Sequence, residues 1–231
     1  MAPKAFISWS SGKDSAYALH EARRLGLAQI VGSLTTVSEK YDRVAMHGVR
    51  RGVLDRQVEA LQLPALTVSI PSPCPNDVYE SRMAEACAHL QRQGVHHIVF
   101  GDLFLEDIRA YREERLASIG MQAIFPLWKR DTRVLAHEMI DSGLVAYLVC
   151  VDPRRLDASF AGRRFDASLL RDLPADVDPC GENGEFHTVV AAGPMFCQPL
   201  ALSIGPVVER EGFVFADALA CRTDSSGSER S

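Results

Sequence analysis

The run Ala5-Phe6-Ile7-Ser8-Trp9-Ser10-Ser11-Gly12-Lys13-Asp14-Ser15 decides how the chain folds. Ala5 to Trp9 is a short apolar stretch of strand length, and Ser10 to Lys13 breaks it. Beyond the break, Ala18, Leu19, Ala22 and Leu25 recur at helical spacing. A strand, a polar glycine-containing loop and a helix in that order set the loop at the carboxyl end of the strand. There the helix N-terminus offers backbone N–H groups and a positive dipole end to anionic phosphate. Gly12 lets the backbone come close to phosphate oxygens, and the hydroxyls of Ser10, Ser11 and Ser15 can donate to them. Lys13 supplies positive charge, and Asp14 can hold Mg²⁺ or cap the helix.

Working outward, the same alternation continues. Gln29 to Val37 reads as a second strand, His47 to Leu61 as a helix stopped by Pro64, and Leu66 to Ile70 as a third strand. Asn76 or Asp77 can cap a helix through Gln93, His97 to Phe100 is a fourth strand, and Ile108 to Ile119 carries a helix ended by Gly120. Ala123 to Phe125 makes a fifth strand, and Asp131 or Thr132 caps a helix closed by Gly143. This spacing predicts an α/β fold: a doubly wound, mainly parallel five-stranded sheet with helices on both faces. The expected organisation is a nucleotide-binding region over 1–152, a smaller C-terminal α+β region for substrate recognition over 153–222, and a polar, disordered tail over 223–231. In the second region Leu156 to Pro179 reads as loop and short helix, while Leu200–Ile204, Val207–Arg210 and Gly212–Phe215 read as β segments.

Composition bounds the function. The chain has 231 residues, 47% hydrophobic and 24% charged, so it is long enough to bury a core and is neither fibrous nor disordered in class. Its net charge of -5 gives no global basic field, and nucleic acid is not the expected partner. The arginine pairs Arg50-Arg51, Arg154-Arg155 and Arg163-Arg164 are short enough to be solvated surface. Six cysteines stand without a Cys-x-x-Cys pair, which spells neither a zinc site nor a dithiol redox centre. With no signal-peptide pattern and no apolar run near the roughly 20 residues of a membrane span, a cytoplasmic location is expected.

Ser10-Ser11-Gly12-Lys13-Asp14-Ser15 is not a Walker A loop, which needs a second glycine and a four-residue spacer. It resembles the SGGxDS signature of PP-loop ATP pyrophosphatases of the adenine nucleotide alpha hydrolase-like group, with Ser11 where the commonest pattern has glycine. Gly101, then Glu106-x-x-Arg109-x-x-x-Glu113, Pro126-Leu127-Trp128 and Asp178-Pro179-Cys180-Gly181-Glu182-Asn183-Gly184-Glu185-Phe186-His187-Thr188 resemble the diphthine–ammonia ligase family within that group. The resemblance runs from Ala5 to about Phe196. It implies ATP-dependent amide formation: adenylation of a carboxylate, attack by ammonia, and release of AMP and pyrophosphate, with Mg²⁺ serving the phosphates. It also sets His47 and Gly101 beside the nucleotide. Two departures, His187 in Gly184-Glu185-Phe186-His187-Thr188 and Asp102 after Gly101, fall on expected substrate-facing loops. The acceptor is therefore expected to be a small-molecule or protein side-chain carboxylate, without diphthine being implied. A homodimer is compatible with this reading.

Taken as residues alone, Cys180, Glu182, Glu185 and His187 cluster acid, base and thiol groups in one glycine-containing stretch of a kind that often carries function. Glu185 or His187 is the candidate general base, and Glu182 the candidate to hold ammonium or order the loop. Cys180 and Gly181 are candidates for the acceptor side, with a packed or loop-ordering thiol and a turn as the plain alternatives. Asp102, at the carboxyl end of the fourth strand, is a candidate for metal or substrate. Glu106 and Arg109 are candidates for substrate, with an intrahelical ion-pair ladder through Glu113 as the plain alternative. Trp128 is either core or a wall for a base. Two rival functions remain: a tRNA sulfurtransferase, which usually adds paired cysteines and a basic surface, and a non-catalytic ATP-binding sensor.

Overall fold

A computed structural model describes residues 2–221. Expectations about the tail from 223 onward lie outside the described residues. The first half builds one sheet from β1 (Lys4–Ser8), β2 (Gln29–Ser38), β3 (Arg43–Val44), β4 (Ala65–Ile70), β5 (His97–Val99) and β6 (Gln122–Ile124). Four helices separate them: α1 (Lys13–Arg24), α2 (Arg51–Leu61), α3 (Asn76–Arg92) and α4 (Glu106–Ala117). The order β4-β2-β1-β5-β6 is parallel throughout, which is the expected five-stranded doubly wound α/β sheet. β1 lies centrally, with Ala5 and Ile7 fully buried.

Sequence reading missed β3. Val37 and Ser38 pair with β4 on one edge and antiparallel with Val44 and Arg43 on the other, so β3 occupies the edge that β1 fills lower down. This hairpin continues past the carboxyl end of β1, and the turn after it brings His47 against Gly12. It also delays α2 to Arg51 instead of His47, because Met46 and Gly48 adopt positive φ and Val44 N–H donates to Val49 O. His47 is thereby on a turn facing the loop. At α3 the residue before the helix is Pro75, with no side-chain cap, while Asp131 caps the helix that begins at Thr132 by accepting from Arg133 and Val134 N–H.

The second sheet departs further from expectation. After α5 (Thr132–Asp141), β7 (Val145–Val151) joins β8 (Phe186–Ala192), β9 (Leu202–Arg210) and β10 (Phe213–Ala220) in the antiparallel order β8-β7-β10-β9, with α6 (Ala167–Asp172) packed alongside. The change of sheet thus falls between Ile124 and Val145, earlier than the position 152 read from the alternation. β7, with Ala146, Leu148 and Val151 fully buried, looks in sequence like one more buried parallel strand. β8 begins at Phe186 inside the stretch expected to be loop. One core joins α1, α2, α5 and both sheets; a second lies under α3 and α4 on the opposite face of the parallel sheet.

Candidate functional site

The 10–15 loop leaves β1 and enters α1 through Ser11 at φ 69° and an extended Gly12. Ser15 Oγ donates to Gly12 O at 3.0 Å and lies 3.1 Å from Ser10 Oγ. The loop is held from outside by two elements. Gln57, fully buried on α2, donates from Nε2 to Ser11 O at 3.1 Å and to Val190 O at 2.8 Å, and accepts from Trp9 Nε1 at 3.1 Å. From β8, Val190 N–H donates to Ser11 O and Thr188 Oγ1 accepts from Lys13 N–H at 3.0 Å. In front of the helix start stands Gly101. A Cβ there would lie 2.7 Å from Asp14 C and 2.8 Å from Ser15 N, so only glycine keeps this cradle open.

The cradle opens into a cavity of about 770 Å³ between the parallel sheet and the α3 and α4 helices. Its walls are apolar along Leu34, Ile70, Cys87, Ile98, Phe100 and Leu116. Four carboxylates border it, Asp14, Glu80, Asp102 and Glu182, against two cations, Arg112 and Arg115. Glu182 Oε1 accepts from Leu103 N–H at 2.7 Å, and burial, with Asp14 and Asp102 adding to it, pushes its carboxyl up to about 7. His47 and His187 stack at the same mouth with centroids 4.7 Å apart. Burial lowers both, and His187, next to His47 and Lys13, is driven down to about 3. His47 Nδ1 lies 3.0 Å from Thr188 O, which can only accept, so the neutral ring carries its proton there and leaves Nε2 as an acceptor.

Two family models cover the chain: the diphthamide synthase N-terminal domain matches residues 3–123 and the diphthamide synthase C-terminal domain matches 131–216. The chain belongs to the diphthamide synthase family. Among curated relatives, a diphthine–ammonia ligase of Bos taurus is 26% identical over 234 residues, spanning 90% of this chain and 85% of the relative. The Danio rerio protein of the same name is 26% identical over 229 residues, with 90% and 89% covered. The Schizosaccharomyces pombe protein is 29% identical over 110 residues, which are 44% of this chain and 18% of that protein.

In this diphthamide synthase family member the residues singled out by sequence separate into two groups. Ser10, Asp14, Ser15, His47, Gly101, Asp102, Gly181, Glu182 and His187 border the cavity. Ser11, Gly12, Lys13, Glu106, Arg109, Cys180 and Glu185 do not. Lys13 is 1% exposed: its Nζ donates to both Asp14 oxygens at 2.9 Å and to Cys180 O, beneath the rings of Phe165 and Phe186. Burial works against this ammonium, but Asp14 holds its pKa above the ordinary value. Gly12 serves packing, since a Cβ there would meet His47 Cε1 at 2.5 Å. Glu185 accepts from Asp178 N–H and Asn183 Nδ2 and orders the 178–185 turn. The Cys180 thiol is pushed up by burial and donates to Thr132 O, a structural arrangement. Arg109 pairs with Glu113 at 2.7 Å and stacks on Trp128 and Phe125, while Glu106 pairs with Lys129. The ion-pair alternative therefore describes Arg109 and Glu113, and Trp128 is a wall for Arg109 outside the cavity.

Three contributors went unnoticed in sequence. Thr188 was only the end of a motif. Gln57 left a usable signal, a polar residue at the inward spacing Val53, Gln57, Leu61. Arg112 left none, because in sequence it is one more charged residue among Arg109, Glu113, Glu114 and Arg115.

Proposed function

We propose that this chain is an ATP-dependent, AMP-forming carbon–nitrogen ligase that adenylates a carboxylate-type acceptor and passes it to ammonia. The observation that carries this is the glycine-kept cradle at the start of α1, opening onto a largely apolar cleft: backbone N–H groups for phosphate beside a slot for a base. The relatives named diphthine–ammonia ligase support the amidating chemistry. In the proposed sequence the acceptor carboxylate attacks the α-phosphorus, the bond to the β-phosphate oxygen breaks, and pyrophosphate leaves. Ammonia then attacks the acyl carbon, AMP leaves with its bonding pair, and the surplus proton passes to a base.

Glu182 suits that base better than Glu185 or His187. It borders the cavity and its carboxyl, at about 7, is matched to neutral pH, whereas Glu185 faces its own turn and His187, near 3, holds protons too weakly. The acid excess around the cavity repels a bare triphosphate, which argues that ATP comes with a divalent cation. Asp14 would hold Mg²⁺: its side chain is 27% exposed and its oxygens keep lone pairs beyond those used by Lys13. Mg²⁺ is commonly held by one or two carboxylates plus substrate phosphates, and Asp14 would be the protein's share. Mg²⁺ there would draw charge off the departing pyrophosphate.

The test is product analysis of α-labelled ATP with Mg²⁺, ammonium and a panel of carboxylate acceptors, including peptides. AMP formed only with an acceptor, and lost in Asp14→Asn, is the expected result. ATP bound without AMP from any acceptor would overturn the ligase reading.

A further inference from the structure

Phosphate chemistry needs a cation against the charge that builds up on the transferring group, and the cation spelled in the loop is out of reach. Lys13 Nζ is committed to Asp14 and the Cys180 carbonyl under two aromatic rings, and Lys13 does not border the cavity. Among the described residues the lysine and arginine side chains lining the cavity are Arg112 and Arg115 alone. Arg115 is matched, with Nη2 2.7 Å from Glu80 and its guanidinium over Tyr111.

Arg112 is placed but not satisfied. Its guanidinium lies over Phe100 at 4.5 Å, with Nε 2.9 Å from Asp102 Oδ2. Even so, Arg112 Nε and Asp102 Oδ2 are both buried without a hydrogen-bond partner among the described residues, because the two are close but misaligned. A buried charged donor and acceptor with no other partner carry a cost that a ligand oxygen on the guanidinium would relieve. Its location says which one. Phe100, Gly101 and Asp102 are consecutive: Phe100 belongs to the apolar wall, Gly101 abuts the Asp14–Ser15 backbone, and Asp102 holds Arg112. The guanidinium thus stands where the apolar slot meets the helix start, which is the station of the phosphate next to the nucleoside when the base fills the slot.

We infer that Arg112 is the catalytic cation of this site, contacting the α-phosphate of the nucleotide with its guanidinium fork while Asp102 acts as its positioning residue. The inference rests on the nucleotide reading above. A guanidinium suits the role, since its planar fork matches two phosphate oxygens and stays charged at any working pH.

Calorimetric titration of the wild type, Arg112→Gln and Arg112→Lys with Mg²⁺ and a non-cleavable α,β-methylene ATP, with AMP and with adenosine tests it. Arg112→Gln should weaken the ATP analogue and AMP by about 10- to 100-fold, the worth of charge-assisted hydrogen bonds, and leave adenosine unchanged. Arg112→Lys, which keeps the charge and the stem over Phe100, should show a smaller loss and serves if the glutamine variant does not fold. Unchanged binding of the analogue, or an equal loss for adenosine, would overturn the assignment in favour of a packing role. A wild type that binds neither analogue nor adenosine would instead sink the nucleotide reading and this assignment with it.

Discussion

Replacing Glu182 by Gln should make the protein more stable and less active at the same time. The carboxyl moves from an ordinary 4.5 to about 7 because the folded chain removes it from water beside Asp14 and Asp102. For an acid raised in the folded state, the favourable protonated form is fully present below 4.5 and is lost as pH rises through about 7. At about 1.4 kcal/mol for each tenfold change, ionised Glu182 costs the fold ~3 kcal/mol, and screening at the cavity mouth reduces this to about 1–2 kcal/mol. Glutamine keeps an oxygen for Leu103 N–H, which Glu182 bonds at 2.7 Å, so the local hydrogen bond survives the change. Denaturation of the ligand-free wild type and Glu182→Gln at pH 5 and pH 8 reads the effect. The two should be nearly equal at pH 5, and at pH 8 the variant should be more stable by about 1–2 kcal/mol, a rise of roughly 3–6 °C in Tm for a chain of this size. Amide formation by the variant should fall on the order of a hundredfold or more if the carboxylate takes the proton from ammonia. The same stability difference at both pH values would refute the reasoning, since only a titrating group separates them.

Gln57→Leu should cost roughly 2–5 kcal/mol in urea denaturation, because Trp9 Nε1 and Val190 O both lose a buried partner; a loss below about 1 kcal/mol would show that they find others. Ser11→Gly should exceed Ser11→Ala in stability by about 1 kcal/mol, since both remove the buried, unpartnered hydroxyl but only glycine accepts φ 69° freely, and equal melting points for the two would contradict this. His187, lowered from 6.5 to about 3 by burial, contributes stability that is complete above pH 6.5 and lost as pH falls towards 3. His187→Gln should therefore lose less stability than the wild type between pH 6.5 and pH 4, and parallel melting curves would count against it.

The parallel sheet was legible because its signal is local. Each buried strand is bounded by a glycine, proline or capping residue, and the helix faces repeat at 3.6, as with Val53 and Leu61 on α2. The second sheet was not legible for the same reason: β7 has the buried apolar run of a parallel strand, and nothing in Val145 to Val151 says that its neighbours are β8 and β10. The cavity-facing residues Asp14, Gly101 and Glu182 were within reach of sequence since they sit at strand ends and in a glycine-containing turn. The direction of Lys13 was not. Whether an ammonium points to a ligand or to a carbonyl depends on what packs against it, and that is supplied by Phe165, Cys180 and Phe186, at least 150 residues further along the chain.

That same lysine shows why the two sheets act together at the site. Lys13 N–H is bonded to Thr188 Oγ1, its ammonium to Cys180 O, and Ser11 O to Val190 N–H, so three contacts fasten the 10–15 loop to the second sheet and the turn before it. Gln57 bridges the remaining gap from α2 to Val190. The loop is short, holds a serine in a left-handed conformation and spends a buried charge on its own anchoring. Such strain persists only where the surroundings over-determine it. The compensation comes largely from β8, which makes the stretch from Asp178 to Val190 as much a part of the proposed phosphate site as the loop itself. The glycines at 181 and 184 then have a physical reason: they let the chain turn tightly enough to bring Glu182 to the cavity while Cys180 and Thr188 hold α1 in place.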